Sequence, residues 1–160
     1  MIDFEKFMTR HDLTWNRAPQ AWEQAPFLGN GMLGTMLYQV GPQSLRLDVS
    51  RADYYGHRDG FSWITRSRMP IGHFTLETSA PIRTFEGRLD LWNAEFRAVI
   101  TTAQGSVILK ALVHSDDMLI IYTLETSGDE HACRFVWHPA EAIPPARNHA
   151  LQELAKNPDT

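Results

Sequence analysis

The sequence predicts an all-β protein, an antiparallel β-sandwich with a short helix at its carboxyl end. Short apolar or alternating segments follow one another from residue 33 to residue 137, and clusters of turn-forming residues separate them. This spacing is typical of an antiparallel meander folded into a sandwich or a barrel. Apolar residues make up 43% of the chain and charged residues 21%, which is enough apolar material for a folded core.

The first predicted elements are a helical turn and a hairpin. Asp3 is placed to cap a helical turn over 4–8. Strands are predicted over 35–40 and 45–49, since leucines alternate with Arg and Asp in the second of them. The Gly-Pro-Gln-Ser segment at 41–44 is predicted to join the two strands as a hairpin connection.

The clearest alternation predicts one long strand over 89–101. Every second residue from Trp92 to Ile100 is apolar, so Trp92 is predicted to lie in the core. A turn is predicted at Ala103, Gln104 and Gly105. Residues 107–113, which follow it, are apolar at both parities, and we predict that this strand is buried on both faces.

Two further strands and a helix complete the prediction. Strands are expected over 118–124 and 133–137, and both Cys133 and Trp137 are assigned to the core. Prolines then interrupt the chain, and residues 146–156 are predicted to form a short helix.

The 160 residues suit one domain with two appendages. We divide the chain into an irregular arm at 1–22, a β-sandwich domain at 23–138, and a proline-rich linker with a short helix at 139–160. No internal repeat at a fixed period is visible in the sequence.

Composition excludes several classes of function. The net charge of −4 comes with no lysine- or arginine-rich block, so no nucleic-acid partner is expected. No apolar run is long enough to predict a membrane span. The single cysteine excludes an internal disulfide and a cysteine-based zinc site. The first residues lack the pattern of a secretory signal, which indicates a cytoplasmic protein as written, or a secreted or periplasmic one if the natural start differs.

The most informative segment is the glycine-rich stretch at 29–34. Three glycines and an asparagine fall within six positions, just before an apolar strand. Glycines so dense indicate backbone that takes a positive φ or that something else approaches closely, and asparagine tolerates the same conformation. A simple tight turn before a buried strand explains the pattern as well. A nucleotide-binding loop is excluded, because no Lys-Ser/Thr follows and no Gly-x-Gly-x-x-Gly run opens a helix.

Three segments together resemble glycoside hydrolase family 95, the α-L-fucosidases and their relatives among the six-hairpin glycosidases. The segment at 22–34 resembles the family's opening signature: Trp22, a short spacer, and then Pro-Phe-Leu-Gly-Asn-Gly-Met-Leu-Gly at 26–34. Residues 87–91, with a Leu-Asp-Leu strand, and residues 109–121, a hairpin with Ser-x-Asp-x-apolar-apolar, resemble its downstream pattern. The resemblance covers about positions 15 to 125.

The resemblance implies a supersandwich-like amino-terminal domain that is longer than this chain and precedes an (α/α)6 catalytic barrel. The sandwich is therefore expected to be incomplete here. The family's catalytic residues lie in the barrel, so none is assigned and the chain alone is expected to be inactive. No cofactor is expected. Its implied role is to support the barrel and wall the substrate pocket, with carbohydrate as a partner through the parent enzyme. The isolated domain, exposing its barrel-facing surface, is expected to self-associate.

Candidate site residues lie in the arm, the glycine-rich turn and the segment after the first hairpin. The densest polar group is formed by Asp48, Asp53, Tyr54, Tyr55, His57, Arg58 and Asp59. The family's Asn-Glu-Asp-Thr-Leu-Trp run is replaced here by residues 48–55, which implies an uncharacterised branch rather than a fucose-specific enzyme. The predicted substrate-proximal or interdomain residues are Trp15, Trp22, Asn30, Asp53, Tyr55, His57 and Arg58.

Three other interpretations stay open at this point, one of which is an interaction domain unrelated to sugars. Residues 48–59 also suit a solvated loop with local Arg–Asp pairs, each worth at most about 1 kcal/mol. The chain also suits a free-standing carbohydrate-binding module with Trp15, Trp22, Tyr54 and Tyr55 as a stacking surface.

A metal site is not assigned from the sequence. His114, Asp116 and Asp117 lie close together, but their spacing is not that of a recognised ligand set. The resemblance instead explains Ser115 and Asp117 as a turn between core strands, in which a short polar side chain bonds the turn amides.

Overall fold

The computed structural model describes residues 2–56 and 67–156, and it shows two five-stranded antiparallel sheets. Sheet A contains, in spatial order, β1 (Leu13–Trp15), β6 (Thr84–Asp90), β7 (Glu95–Thr101), β8 (Gly105–Val113) and β9 (Ile120–Gly128). Sheet B contains, in spatial order, β10 (Arg134–Pro139), β5 (Gly72–Glu77), β4 (Ser44–Arg51), β3 (Leu33–Gly41) and β2 (Phe27–Gly29). The predicted all-β fold is confirmed.

Helices are short and peripheral. The predicted amino-terminal turn is α1 (Phe4–Thr9), and the Asp3 side chain accepts a hydrogen bond from the Lys6 amide at 3.1 Å, as an N-cap does. A 3-10 helix covers Trp22–Gln24. The predicted tail helix is confirmed as α2 (Pro145–Lys156).

The core lies between the two sheets, where every second residue of the inner strands points inward. Leu45, Leu47 and Leu76 of sheet B are fully buried, and Phe85 and Phe96 of sheet A are nearly so. Burying side chains of this size stabilises the fold by roughly 1.5–3 kcal/mol each. The predicted β3–β4 hairpin is confirmed, with Gly41 paired to Ser44 across the turn.

The predicted single strand over 89–101 is wrong. A turn at 91–94 divides it into β6 and β7, which pair with each other. The Asp90 carboxylate accepts hydrogen bonds from the Trp92 amide at 3.0 Å and the Asn93 amide at 2.9 Å, and Ala94 takes a φ of 52°. Trp92 is consequently 48% exposed on the turn and does not lie in the core.

Two burial predictions also need correction. β8 is buried on its inner face only, and Ile108 and Leu112 of the outer face are partly exposed. The reason is that sheet A is covered on one side, as antiparallel sheets commonly are. Trp137 packs on Phe74, with ring centroids 4.7 Å apart. It stays 40% exposed because its strand, β10, lies at the edge of sheet B.

The first 22 residues are more regular than predicted. They contribute β1, which pairs with β6 at the edge of sheet A. Trp15 packs edge-to-face on Phe96 at a centroid distance of 5.8 Å, and its indole N–H donates to the Gln24 carbonyl at 2.8 Å. The arm is therefore fastened to the sandwich by a strand and by an aromatic contact with the core.

Candidate functional site

The glycine-rich segment forms the tight turn between β2 and β3. The Asn30 side-chain oxygen accepts hydrogen bonds from the Met32 amide at 3.0 Å and the Leu33 amide at 2.8 Å. Gly31 takes a φ of 90°, in the region that side chains with a Cβ rarely adopt. The predicted positive φ is confirmed at this one position of the segment.

The close approach at the two flanking glycines comes from the hairpin itself. A Cβ on Gly29 would lie 3.1 Å from the Leu33 carbonyl oxygen, and one on Gly34 would lie 3.3 Å from the Leu28 carbonyl oxygen. These positions therefore need small residues in order to close the β2–β3 pair.

Asn30 also fastens the turn to the other sheet. Its side-chain amide donates to the His114 carbonyl at 2.8 Å, and a weaker contact of 3.4 Å reaches the Asp117 carbonyl. His114 and Asp117 belong to the connection between β8 and β9. One side chain thus orders its own turn through its oxygen and joins the two sheets through its nitrogen.

The turn between β8 and β9 is organised by the His114 side chain. The resemblance implied that Ser115 and Asp117 would do this, and that expectation is wrong. The His114 Nδ1 accepts from the Asp117 amide at 3.0 Å and, less directly, from the Asp116 amide at 3.4 Å. The Ser115 hydroxyl instead donates to the Asp116 carboxylate. A histidine ring reaches the amides two and three residues onward, which the Ser-x-Asp pattern alone does not reveal.

Asp53 and Tyr55 follow β4 at the same end of the sandwich. The Asp53 carboxylate accepts from Arg51 at 2.9 Å and 2.6 Å. The hydrogen bond from this guanidinium lowers the pKa of Asp53. Tyr55 bridges to Arg68, whose Nε lies 3.4 Å from the tyrosine hydroxyl. The exposed Arg51–Asp53 pair is the local ion pair that the solvated-loop interpretation expects.

The predicted polar group is divided in the structure. Asp48 lies on the outer face of sheet B, where its carboxylate accepts from Tyr38 at 2.9 Å and Arg46 at 2.8 Å. The Asp48 carboxylate is therefore bonded to Tyr38 and Arg46, and it forms no group with Asp53. His57, Arg58 and Asp59 lie outside the described residues.

The arm that carries Trp15 and Trp22 lies near the end of β3, whereas Asn30 lies next to the start of this strand. The Pro19 carbonyl, between the two tryptophans in the sequence, accepts a hydrogen bond from the Gln39 amide at 2.7 Å. Trp22, in the 3-10 helix, is 59% exposed, and Trp15 packs on the core. The structure does not bring these rings together with Tyr54 and Tyr55, which follow the end of β4 that pairs with Leu33.

An exposed apolar surface surrounds the Asn30 contact. Met32 is 40% exposed, Met118 is 45% exposed and Leu119 is 53% exposed, and they lie on the two turns that Asn30 joins. We call this set, with Asn30, the Asn30 surface. Beside it is an open cavity of about 260 Å³. Residues of the glycine-rich turn line one part of it, and the polar residues Ser50, Arg51 and Arg68 also line it.

The described residues provide no metal centre or membrane span. In 2–56 and 67–156, no three His, Cys, Asp or Glu side chains are positioned to hold a metal ion. Neither α1 nor α2, nor any other helix in those ranges, is long and apolar enough to cross a membrane. What the Asn30 surface offers chemically is therefore apolar contact and hydrogen bonding.

Comparison with known proteins adds no assignment. No family model matches the chain, and no match was found among curated proteins. Membership of a glycoside hydrolase family is accordingly a proposal that depends on the residues and their geometry.

Replacing Gly31 with valine tests the strained turn. We expect the free energy of unfolding to fall by roughly 1–3 kcal/mol, because a β-branched residue is forced to a φ near 90°. A Cβ there meets no atom within 4 Å, so the effect isolates backbone strain from steric overlap. Urea unfolding measures it. The control is Gly41→Ala, whose Cβ would make an ordinary 3.7 Å contact, and equal losses in both variants would contradict the explanation.

Proposed function

We propose that this chain is the non-catalytic amino-terminal β-sandwich of a family 95-like glycoside hydrolase, and that it supports an (α/α)6 barrel and helps to wall its substrate pocket. The observation that carries the proposal is the hydrogen bond of 2.8 Å from Asn30 to the His114 carbonyl. It joins two segments that resemble the family and that lie 84 residues apart in the sequence.

The Asn30 surface supplies the contact with the barrel. Met32, Met118 and Leu119 expose apolar side chains on two turns that are locked in position by Asn30 and His114. Exposed apolar groups brought together on ordered turns are typical of an interface between domains. Arg51, Asp53 and Arg68 line or flank the adjacent cavity and provide a polar border.

The chemistry in this proposal belongs to the barrel. Glycoside hydrolysis uses two carboxyl groups that face the scissile bond at roughly 5–9.5 Å from each other. The chain's own contribution is to hold the barrel face in position and to present hydrogen-bonding groups at the pocket wall. Tyr55 and Arg68, already in contact at 3.4 Å, are the described groups best suited to meet sugar hydroxyls there.

The contact is tested by producing this chain and the barrel of the same protein separately and measuring their association by calorimetry. We expect saturable binding by the wild-type chain and a loss of about tenfold or more in Leu119→Glu, because a carboxylate would be buried against the barrel. The matched control is Val40→Glu, since Val40 is 52% exposed at the opposite end of β3. Absence of binding by the wild type, or equal binding by both variants, would exclude the Asn30 surface as the contact.

Titration of the isolated chain with a panel of oligosaccharides distinguishes a support domain from a free-standing binding module. The support domain is expected to show no saturable binding, because Trp15 and Trp22 do not share a surface with Tyr54 and Tyr55. Millimolar or tighter binding by the isolated chain would favour the module. The panel should include fucosylated and non-fucosylated sugars, because the sequence lacks the fucosidase run.

A further inference from the structure

Among the described residues, nothing pairs with the outer edge of β9 in sheet A, and this edge lacks the protection that the other sheet edges have. β1 and β2 are three residues long, and β10 ends in Pro139, which cannot donate to a further strand. β9 has nine residues, no proline, no lysine and a regular register with β8. Within the described ranges, no strand other than β8 pairs with β9.

The backbone groups that face this free edge can be identified. His114 N–H donates to the Leu119 carbonyl, and Asp129 N–H donates to the Gln104 carbonyl, just beyond the two ends of the β8–β9 pair. Hydrogen-bonded and non-hydrogen-bonded pairs alternate in an antiparallel ladder. The groups directed away from β8 therefore belong to Ile120, Tyr122, Leu124 and Thr126.

The side chains along this edge are only partly covered. Ile120, Tyr122 and Leu124 face the core but remain partly exposed, and Ile121 on the outer face is 40% exposed. Tyr122 already packs on Phe135 of sheet B, with ring centroids 5.6 Å apart. An additional strand beside β9 would cover these side chains as well as pair the free backbone groups.

We propose that the β9 edge pairs with the β9 edge of a second copy of this chain, forming a continuous antiparallel sheet across a two-fold axis at Thr123. The four residues with free backbone groups are placed symmetrically about Thr123. This register pairs Tyr122 with Leu124 of the other copy and Ile120 with Thr126 of the other copy, giving about eight hydrogen bonds. Gly128, with a φ of 66°, leaves the extended conformation and ends the paired stretch.

Side-chain chemistry selects the second copy as the partner. β9 carries one charged residue, Glu125, and the proposed register sets it opposite Ile121 of the other copy rather than opposite another carboxylate. Thr123 lies opposite Thr123 of the other copy, and threonine pairs that face each other across two strands are favourable in antiparallel sheets. A register centred on Glu125 would instead oppose two like charges. The inference goes beyond the proposed glycosidase role, because its hydrogen-bonded pairs lie between Ile120 and Thr126 and do not use Met118 or Leu119.

Charge substitutions at Thr123 test the pairing by sedimentation velocity over micromolar to millimolar concentrations. The wild-type chain is expected to dimerise. Thr123→Lys and Thr123→Glu are each expected to weaken dimerisation by about tenfold or more, because like charges would face each other at the axis. An equimolar mixture of the two variants is expected to restore the dimer, since Lys then faces Glu.

Each other result overturns the proposal. A wild-type chain that stays monomeric at millimolar concentration excludes the pairing, and a dimer that neither variant weakens places the interface elsewhere. Weakened variants that do not recover on mixing exclude the two-fold register at Thr123. Ser127→Lys is the matched control, because residue 127 would face Leu119 of the other copy and its lysine would meet no like charge. Circular dichroism melts confirm that each variant is folded, and Thr123→Glu, which lies beside Lys110, tests the register if Thr123→Lys does not fold.

Discussion

Replacing Glu130 with alanine is expected to lower the free energy of unfolding by about 3 kcal/mol. The substitution removes a fully buried carboxylate and leaves the two groups that donate to it without an acceptor. Glu130 has no exposed surface. Its carboxylate accepts hydrogen bonds from the Thr102 hydroxyl and from the Ser79 amide, the latter at 2.9 Å. It thereby joins the β7–β8 turn of sheet A to the segment that follows β5 of sheet B. Urea unfolding at neutral pH measures the loss.

Acid titration separates the charge of Glu130 from its packing. Burial by itself would raise the pKa of the carboxyl, but the hydrogen bonds from Thr102 and Ser79 outweigh it, so the pKa in the folded protein is lowered. A lowered folded-state pKa means that this stabilisation is present above the unfolded pKa and is lost as the pH falls through the folded one. The stability advantage of the wild type over Glu130→Gln should therefore shrink in acid. An advantage that is constant from neutral pH into acid would contradict a charged Glu130.

Replacing Gly72 with alanine is the second substitution with a large expected effect, a loss of roughly 3 kcal/mol or more. A Cβ at this position would lie 2.4 Å from the His138 carbonyl oxygen and 2.7 Å from the Trp137 ring. Gly72 also takes a φ of 147°, which side chains rarely adopt. The β5–β10 pair would have to move apart, and Trp137 would lose its contact with Phe74.

Thermal unfolding and tryptophan fluorescence test this prediction together. Gly72→Ala should lower the melting temperature and shift the emission of Trp137 to the red as the ring becomes more exposed. Gly41→Ala is again the control, because its Cβ would meet only Ser44 at an ordinary distance. A Gly72→Ala protein as stable as the control would show that β10 does not hold Trp137 against Gly72.

The sequence predicted β3, β4 and β7 to β10, because their apolar patterns are local. It did not predict β1, β2 or β5, and it reached only the last residues of β6. The division at 91–94 was not predictable, because apolar residues keep the same parity through the turn. The turn is made by Asp90, whose carboxylate bonds two amides within the next three residues. An Asp followed by an Asn three residues later was the available signal, and the continuing apolar parity concealed it.

The exposure of aromatic residues depends on topology rather than on local pattern. Trp137 lies in an apolar segment, but whether its strand is central or at an edge is decided by how distant strands pair. β10 pairs with β5 at the edge of sheet B, although β6 to β9, which lie between them in the sequence, belong to sheet A. The apolar segment therefore predicted Trp137 in the core, whereas its place on an edge strand leaves the ring 40% exposed.

The candidate site was predictable only where its geometry depends on neighbouring residues in the sequence. The need for a positive φ in the glycine-rich turn follows from composition, and Gly31 confirms it. The contact between Asn30 and the His114 carbonyl was not predictable, since it arises only when the two sheets pack. The role of His114 in its turn was concealed by the Ser-Asp-Asp sequence beside it, which offers more familiar turn residues.

The most direct test of the proposed role is to read the gene beyond the codon for Thr160. The proposal predicts an open frame that continues into several hundred residues of paired helices and bears facing carboxylates suited to glycoside hydrolysis. A stop codon directly after Thr160 would contradict it, because the chain would then have no barrel to support.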